Sequence, residues 1–213
     1  MVTIRWLGHA AFQIKGKDKI IYIDLGKDAK PYDKADLLLA THSHWDHFDP
    51  KVIESVMKEG TIIIAPKDCA QKMKAKVKTV EPGDSLKIDN IEVSTVHAYN
   101  VKRYRSPGVP FHPKGFGVGY ILTIEGKKIY HAGDTDFIPE MMGFKGVDVA
   151  ILPTGNTYTM DNSEAAEAAV TISPKIAIPM HRWTTDPEEF RKKVEAASKV
   201  TVKVLKEGEE IEL

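Results

Sequence analysis

The chain has 213 residues, with 30 basic and 30 acidic side chains and a formal net charge of zero. The length suits one domain with a sizeable core, and balanced charge gives no global field for nucleic acid or an anionic membrane. Charged residues at 28% and hydrophobic ones at 42% are ordinary for a soluble globular protein, and no run approaches the ~18 apolar residues of a membrane span.

The opening MVTIRWLGHAAFQI lacks a charged n-region, an apolar h-region and a small-residue cleavage site, so no signal peptide is expected. The lone Cys69 rules out an internal disulfide. A cytoplasmic protein is therefore expected. VTIRWL, AAFQIKG and KIIYIDL read as strands separated by Gly or charged turns. DLLLAT, residues 36–41, is a continuous apolar run that suits a strand buried on both faces, and it delivers the chain into His42. Asp49 and Pro50 then open a helix in KVIESVMKEG, with Gly60 following its end. TIIIAP is a strand and DCAQKMKA a short helix, in which Cys69 is an inert apolar filler. VKTV, DSLKI and NIEVSTVHA are three more strands. Residues 100–114, NVKRYRSPGVPFHPK, are basic and proline-rich and lack periodicity, so a long loop is expected there, with His112 exposed in it. FGVGYILTI, KKIYHAG, VDVAILPTG and PKIAIPMH are strands, with an Ala-rich helix NSEAAEAAVTI between the last two. TDPEEFRKKVEAAS is an amphipathic helix, and KVTVKVL and EIEL close the chain as strands.

KIIYIDL followed by ADLLLAT, a loop and a helix resembles KIYHAGD followed by VDVAILP, a loop and a helix. This echo predicts two similar halves, each a layer of strands with helices outside, within a single domain spanning 1–213.

The histidines are clustered. His42, His44 and His47 follow DLLLAT, His97 ends IEVSTV, His131 and Asp134 follow KKIY, and His181 ends KIAIPM. Four strands thus finish beside ligand-type residues, where a rigid core can position a loop. Imidazole and carboxylate without cysteine suit Zn, with Mn or Fe as alternatives. His42 and His44 point the same way if the chain is still extended, and Asp46 and His47 face elsewhere as it turns. One motif can then serve two divalent metals, with His42, His44 and His97 on one and Asp46, His47 and His181 on the other. Asp134 can bridge them. A bridging water would ionise near neutrality, from ~16 in bulk to ~7 on zinc, which gives a hydroxide nucleophile. Asp46 and Asp134 are the catalytic candidates, Asp46 orienting that nucleophile while ligating.

THSHWDH has the H-x-H-x-D-H pattern and resembles the metallo-β-lactamase fold family over essentially the whole chain. IDLG, VHA at His97, HAGDTD at Asp134 and IPMH at His181 fall in the family's order. LGHAAFQI and LPTGNTYTMD look like one branch of it, small bacterial and archaeal metal-dependent hydrolases mostly of undefined substrate. That branch is similar to ascorbate-6-phosphate lactonases and, more distantly, to N-acyl-phosphatidylethanolamine phospholipase D. The resemblance implies a four-layer αββα sandwich, a dinuclear site at one edge of the sheets, and the ligand assignment above. Flavodiiron relatives carry Glu where this chain has His44, which argues for hydrolysis over a di-iron redox role.

Other residues keep two readings. Asp24 reads as a support that accepts a hydrogen bond from a ligand histidine or the motif backbone. His9 is a turn residue or lines the metal pocket, and His131 supports Asp134 or does nothing. Lys102, Arg103, Arg105 and Lys114 form a solvated loop or grip a substrate phosphate or carboxylate. Asn156 and Thr159 line the pocket or simply lead a helix, and Arg182 and Trp183 are rim candidates. The leading function is a metal-dependent hydrolase of a small anionic ester, lactone or phosphodiester. The alternatives are a metal-binding regulatory module without turnover, a nuclease-like phosphodiesterase and a di-iron oxidoreductase. No nucleic-acid or membrane partner is expected, and assembly into a homo-oligomer stays open.

Overall fold

The computed structural model describes all 213 residues, which divide into two compact units, 1–81 with 205–213 and 82–204.

The first unit carries strands β1 (Thr3–Trp6), β2 (Phe12–Lys15), β3 (Ile20–Ile23) and β4 (Leu37–Leu39). Helix α1 (Pro50–Val56), β5 (Ile62–Ala65), helix α2 (Lys67–Ala70) and β6 (Val77–Thr79) follow. The second unit opens with β7 (Ser85–Ile88), β8 (Ile91–Ala98), the short β9 (Tyr104–Ser106) and β10 (Val109–Pro110), β11 (Gly117–Ile124) and β12 (Lys127–His131). A 3-10 turn (Pro139–Gly143), β13 (Val149–Pro153), helix α3 (Asn162–Ile172), β14 (Ile176–Met180), helix α4 (Pro187–Ala197) and β15 (Thr201–Val202) complete it. The last strand, β16 (Glu210–Glu212), returns to pair with β1.

Each unit is built on one seven-stranded sheet. The orders are β16-β1-β2-β3-β4-β5-β6 and β7-β8-β11-β12-β13-β14-β15. In both, the first four strands are mutually antiparallel and the last four mutually parallel. Thus β3 and β4 correspond to β12 and β13, the pairs in which the sequence echo lies. The register is fixed by burial. Leu37, Leu38 and Leu39 are all buried, as a parallel strand covered on both faces requires, whereas β8 mixes buried positions with partly and fully exposed ones.

Helix boundaries follow local chemistry. Asp49 Oδ1 accepts from the Lys51 and Val52 N–H groups at 2.8 and 3.1 Å, with Pro50 in the first turn. Asp161 does the same for Ser163 and Glu164 at 2.8 and 2.9 Å. Along α3, Ala165, Ala168, Ala169 and Ile172 are buried at helical spacing, and the helix stops at Ser173 in the left-handed region. Helix α4 packs against α3 and buries Phe190 and Val194. No helix is long and apolar enough to cross a membrane.

One expected loop differs. Within 100–114 the chain forms the β9–β10 hairpin, antiparallel with an irregular register. Gly108 at φ 75° supplies its turn. Two short strands around Pro-Gly leave no measurable hydrophobic alternation, so pattern reading saw only a loop.

Parallel strands set where chemistry can collect. Asp24 follows β3 and His42 follows β4; Asp134 follows β12, Gly155 follows β13 and His181 follows β14. All sit just beyond C-terminal strand ends, the usual position for ligand sites in parallel sheets. As a check on the packing, Phe190→Ala, at a site with no exposed surface, should lower unfolding free energy by about 3–5 kcal/mol in urea denaturation.

Candidate metal centre

In the first unit the site is organised by Asp24. It has no exposed surface and lies in the left-handed region at φ 55°, which Asp tolerates better than most residues. Its Oδ1 accepts from the Thr41 N–H at 2.7 Å, and its Oδ2 accepts from the Thr41 hydroxyl at 2.8 Å and from His47 Nδ1 at 2.7 Å. Since the carboxylate only accepts, Nδ1 of His47 carries a proton, and in the neutral ring Nε2 carries the lone pair. The Thr41 hydroxyl has spent its proton on Asp24, so across the 2.9 Å contact with His42 Nδ1 it accepts. His42 is thereby held in the same tautomer, with a lone pair on Nε2, 3.0 Å from His44 Nδ1. The His42 and His47 rings lie 4.2 Å apart, centroid to centroid.

The rest of the motif is pinned from outside. Ser43 N–H donates to Asp68 at 3.0 Å, and Lys72 Nζ donates to the Ser43 carbonyl at 2.6 Å. Gly26 sits against the Asp46 carbonyl so closely that a Cβ there would overlap it. Asp46 Oδ2 lies 3.0 Å from His9 Nε2 and 4.0 Å from His47 Nε2. His9 itself is left-handed, at φ 49°. Cys69 is buried, and burial pushes its thiol up, which leaves it inert at neutral pH.

In the second unit three ligand-type groups converge. Asp134 Oδ2 lies 3.3 Å from His112 Nε2 and 3.2 Å from His181 Nε2, and all three side chains are buried. Asn100 fixes His112. Its amide nitrogen donates to Asp136 at 3.1 Å and to the Tyr158 carbonyl at 3.0 Å. Its oxygen therefore accepts, from the His112 N–H at 2.8 Å and from Nδ1 at 2.9 Å. Nδ1 therefore carries a proton, and Nε2 faces the Asp134 carboxylate, with a lone pair whenever the ring is neutral. With the ring neutral, two acceptors at that distance repel, and a positive charge, either a proton or a metal ion, holds them together. The donor set thus fits a divalent cation, as does the chemistry of imidazole and carboxylate.

His181 is left-handed at φ 47° and rests against Gly155, where a Cβ would overlap the His181 carbonyl. His131 has no exposed surface, and its Nδ1 accepts from the Gly133 N–H at 3.3 Å, which supports the turn before Asp134. Thr159 is buried, its hydroxyl 3.3 Å from the Gly155 N–H, while Asn156 is exposed at φ 72°.

The basic loop resolves into different roles. Asp136, with no exposed surface, accepts from the N–H groups of Val101, Lys102 and Arg103 and from Arg103 Nη1 at 2.7 Å. Arg103 also donates to Glu164 at 2.6 Å and to the Asn156 carbonyl at 2.5 Å. Burial disfavours its charge, but the hydrogen bonds to Glu164 and Asp136 outweigh that and raise its pKa. Arg103 is thus a clamp within the fold. Arg105 is exposed, with its guanidinium over the Phe111 ring at 5.8 Å.

His97 stands next to last in β8. It pairs in register with Val118, its ring is 6.0 Å from that of Tyr99, and it belongs to no set of three or more ligand-type groups whose ligand atoms lie within 4.8 Å of one another. His112, expected to be exposed, stands at Asp134 instead. The missed signal was Asn100 and Asp136: buried polar side chains that fold the loop back on itself cannot be seen from spacing alone.

A model of the β-lactamase superfamily domain matches residues 3–181. A UPF0173 metal-dependent hydrolase of Pyrococcus abyssi is 39% identical, over 100% of both chains. Among solved structures, one described as a metal-dependent hydrolase from Parabacteroides distasonis has a TM-score of 0.88 at 36% identity, covering 95% of this chain and 91% of its own. A metallo-hydrolase of Ignicoccus hospitalis has a TM-score of 0.80 at 28% identity, covering 99% and 97%. Fold and ligand set together define a metallo-β-lactamase-fold protein. Within that superfamily the chain belongs to the UPF0173 metal-dependent hydrolases.

Two outcomes test the site. His112→Ala should lower bound zinc by mass spectrometry under native conditions, while His97→Ala should retain the wild-type amount. Asp24→Asn, which removes the acceptor shared by Thr41 and His47, should weaken zinc about 10–100-fold in chelator competition.

Proposed function

We propose that the two ligand sets serve one pair of divalent ions, zinc by preference. His42, His44, Asp46 and His47 of the first unit and His112, Asp134 and His181 of the second would supply the ligands. The reaction would be hydrolysis of a small anionic ester, lactone or phosphodiester. The observation that carries this reading is the convergence of the buried His112 Nε2 and His181 Nε2 on Asp134 Oδ2 at 3.3 and 3.2 Å, with His112 Nδ1 held by Asn100. When bound, such a pair supplies Lewis acidity and lowers the pKa of water from ~16 toward ~7.

The chain's own groups do the rest. Asp24, through Thr41, presents the His42 and His47 lone pairs. His9 orients the Asp46 carboxylate. Asp136 and Arg103 shape the loop that delivers His112. With Arg103 engaged by carboxylates, the exposed Arg105 is the better candidate for a substrate anion, by the fork geometry of its guanidinium.

Zinc-reconstituted protein should hydrolyse either a phosphorylated sugar lactone or an activated phosphodiester, assayed side by side. Asp134→Asn should fall to the rate of the metal-free protein. Wild-type protein that binds two zinc ions yet turns over neither substrate class would favour a metal-binding module without catalysis.

A further inference from the structure

Three aromatic side chains of the second unit, Trp183, Tyr158 and Phe111, are arranged in a row. Trp183, 50% exposed, has its ring 5.7 Å from that of His181, edge-on at 78°. Tyr158, 39% exposed, lies 6.4 Å from Trp183, and Phe111 lies 4.8 Å from Tyr158. The Arg105 guanidinium caps the far end, over Phe111. The row therefore runs from a ligand-type histidine to a cation.

Its display is built into the backbone. Trp183 is left-handed at φ 47°, which is unusual for a bulky residue, and Asn156 at φ 72° begins the segment that carries Tyr158. The turn is closed by Thr185, whose hydroxyl donates to the Thr154 carbonyl at 2.9 Å and the Arg182 carbonyl at 2.6 Å. Gly155 lies beneath the indole, where an added Cβ would stand 2.8 Å from Trp183 Cδ1. Holding a large apolar ring in water on a strained backbone disfavours folding, and such strain collects where a ligand is bound.

We infer that this row is a substrate-binding strip for a flat aromatic group with an anionic end. The ring of the ligand lies on Trp183 and Tyr158, and its carboxylate or phosphate meets Arg105. Stacked rings favour offset or edge contacts at the centroid spacings seen here, and a guanidinium at the end supplies the charge that a plain aliphatic site lacks. Only the placement of the scissile bond at the His181 end rests on the hydrolytic reading above.

Binding of 2-naphthoate and of its saturated counterpart, decahydro-2-naphthoate, to zinc-loaded full-length protein tests this by calorimetry. Any direct contact of carboxylate with metal is common to both acids, so their ratio reads the ring, and no turnover is required. The aromatic acid should bind about ten-fold more tightly. Trp183→Ala should abolish that preference, and Trp183→Phe should keep it. Arg105→Ala should weaken 2-naphthoate and leave neutral 2-naphthalenemethanol unchanged. Failure of 2-naphthoate to bind, equal binding of the two acids, or a preference that survives Trp183→Ala would overturn the inference, whether or not the protein proves to be a hydrolase.

Discussion

A carboxylate with no exposed surface, Asp24, receives hydrogen bonds from Thr41 N–H, the Thr41 hydroxyl and His47 Nδ1, all within 2.8 Å. Burying a charge is costly unless it is paired or fully hydrogen-bonded, and here three donors do that work. The arrangement has a consequence beyond stability. The Thr41 hydroxyl, having given its proton to Asp24, is left to accept, and neutral His47 is left with its acceptor on Nε2. His47 therefore presents Nε2, and Thr41 passes the same constraint on to His42. One buried charge sets the chemical form of two histidines.

The second unit reaches the same end with different groups. Asn100 is neutral, but Asp136 and the Tyr158 carbonyl consume its amide protons, so its oxygen must accept from His112. Asp136 is in turn held by three backbone N–H groups and by Arg103. In each unit a loop beyond a parallel strand carries the ligands, a glycine admits a ligand's carbonyl at van der Waals limits, and a left-handed residue redirects the chain. Gly26 against Asp46 and Gly155 against His181 are the two cases. The shared sheet order explains why the same devices recur.

Much of this was legible in the sequence. Continuous apolar runs such as DLLLAT and VAILP, with Asp-Pro pairs at Asp49 and Asp186, placed nearly every strand and helix, because burial on both faces and capping are local signals. The histidines and carboxylates just beyond strand ends were visible for the same reason. What stayed hidden depends on side chains far apart in the chain. His112 reaches Asp134 only because Asn100 and Asp136 fold the hairpin back, and no periodicity records that. Arg103 looked like a free cation and is a clamp, since Glu164, its partner, comes from helix α3 sixty-one residues later. His97, read as a ligand from its order along the chain, stands next to last in β8 in register with Val118.

The account stands on the tautomers, and these can be read directly. Long-range proton–nitrogen correlation spectra of protein labelled with nitrogen-15 histidine, assigned by single substitutions, distinguish protonated Nδ1 from protonated Nε2. The hydrogen bonds to Asp24, Thr41 and Asn100 predict that His42, His47 and His112 all carry the proton on Nδ1 and leave Nε2 to the metal. Protonation of Nε2 on His42 or His47 would contradict the role assigned to Asp24.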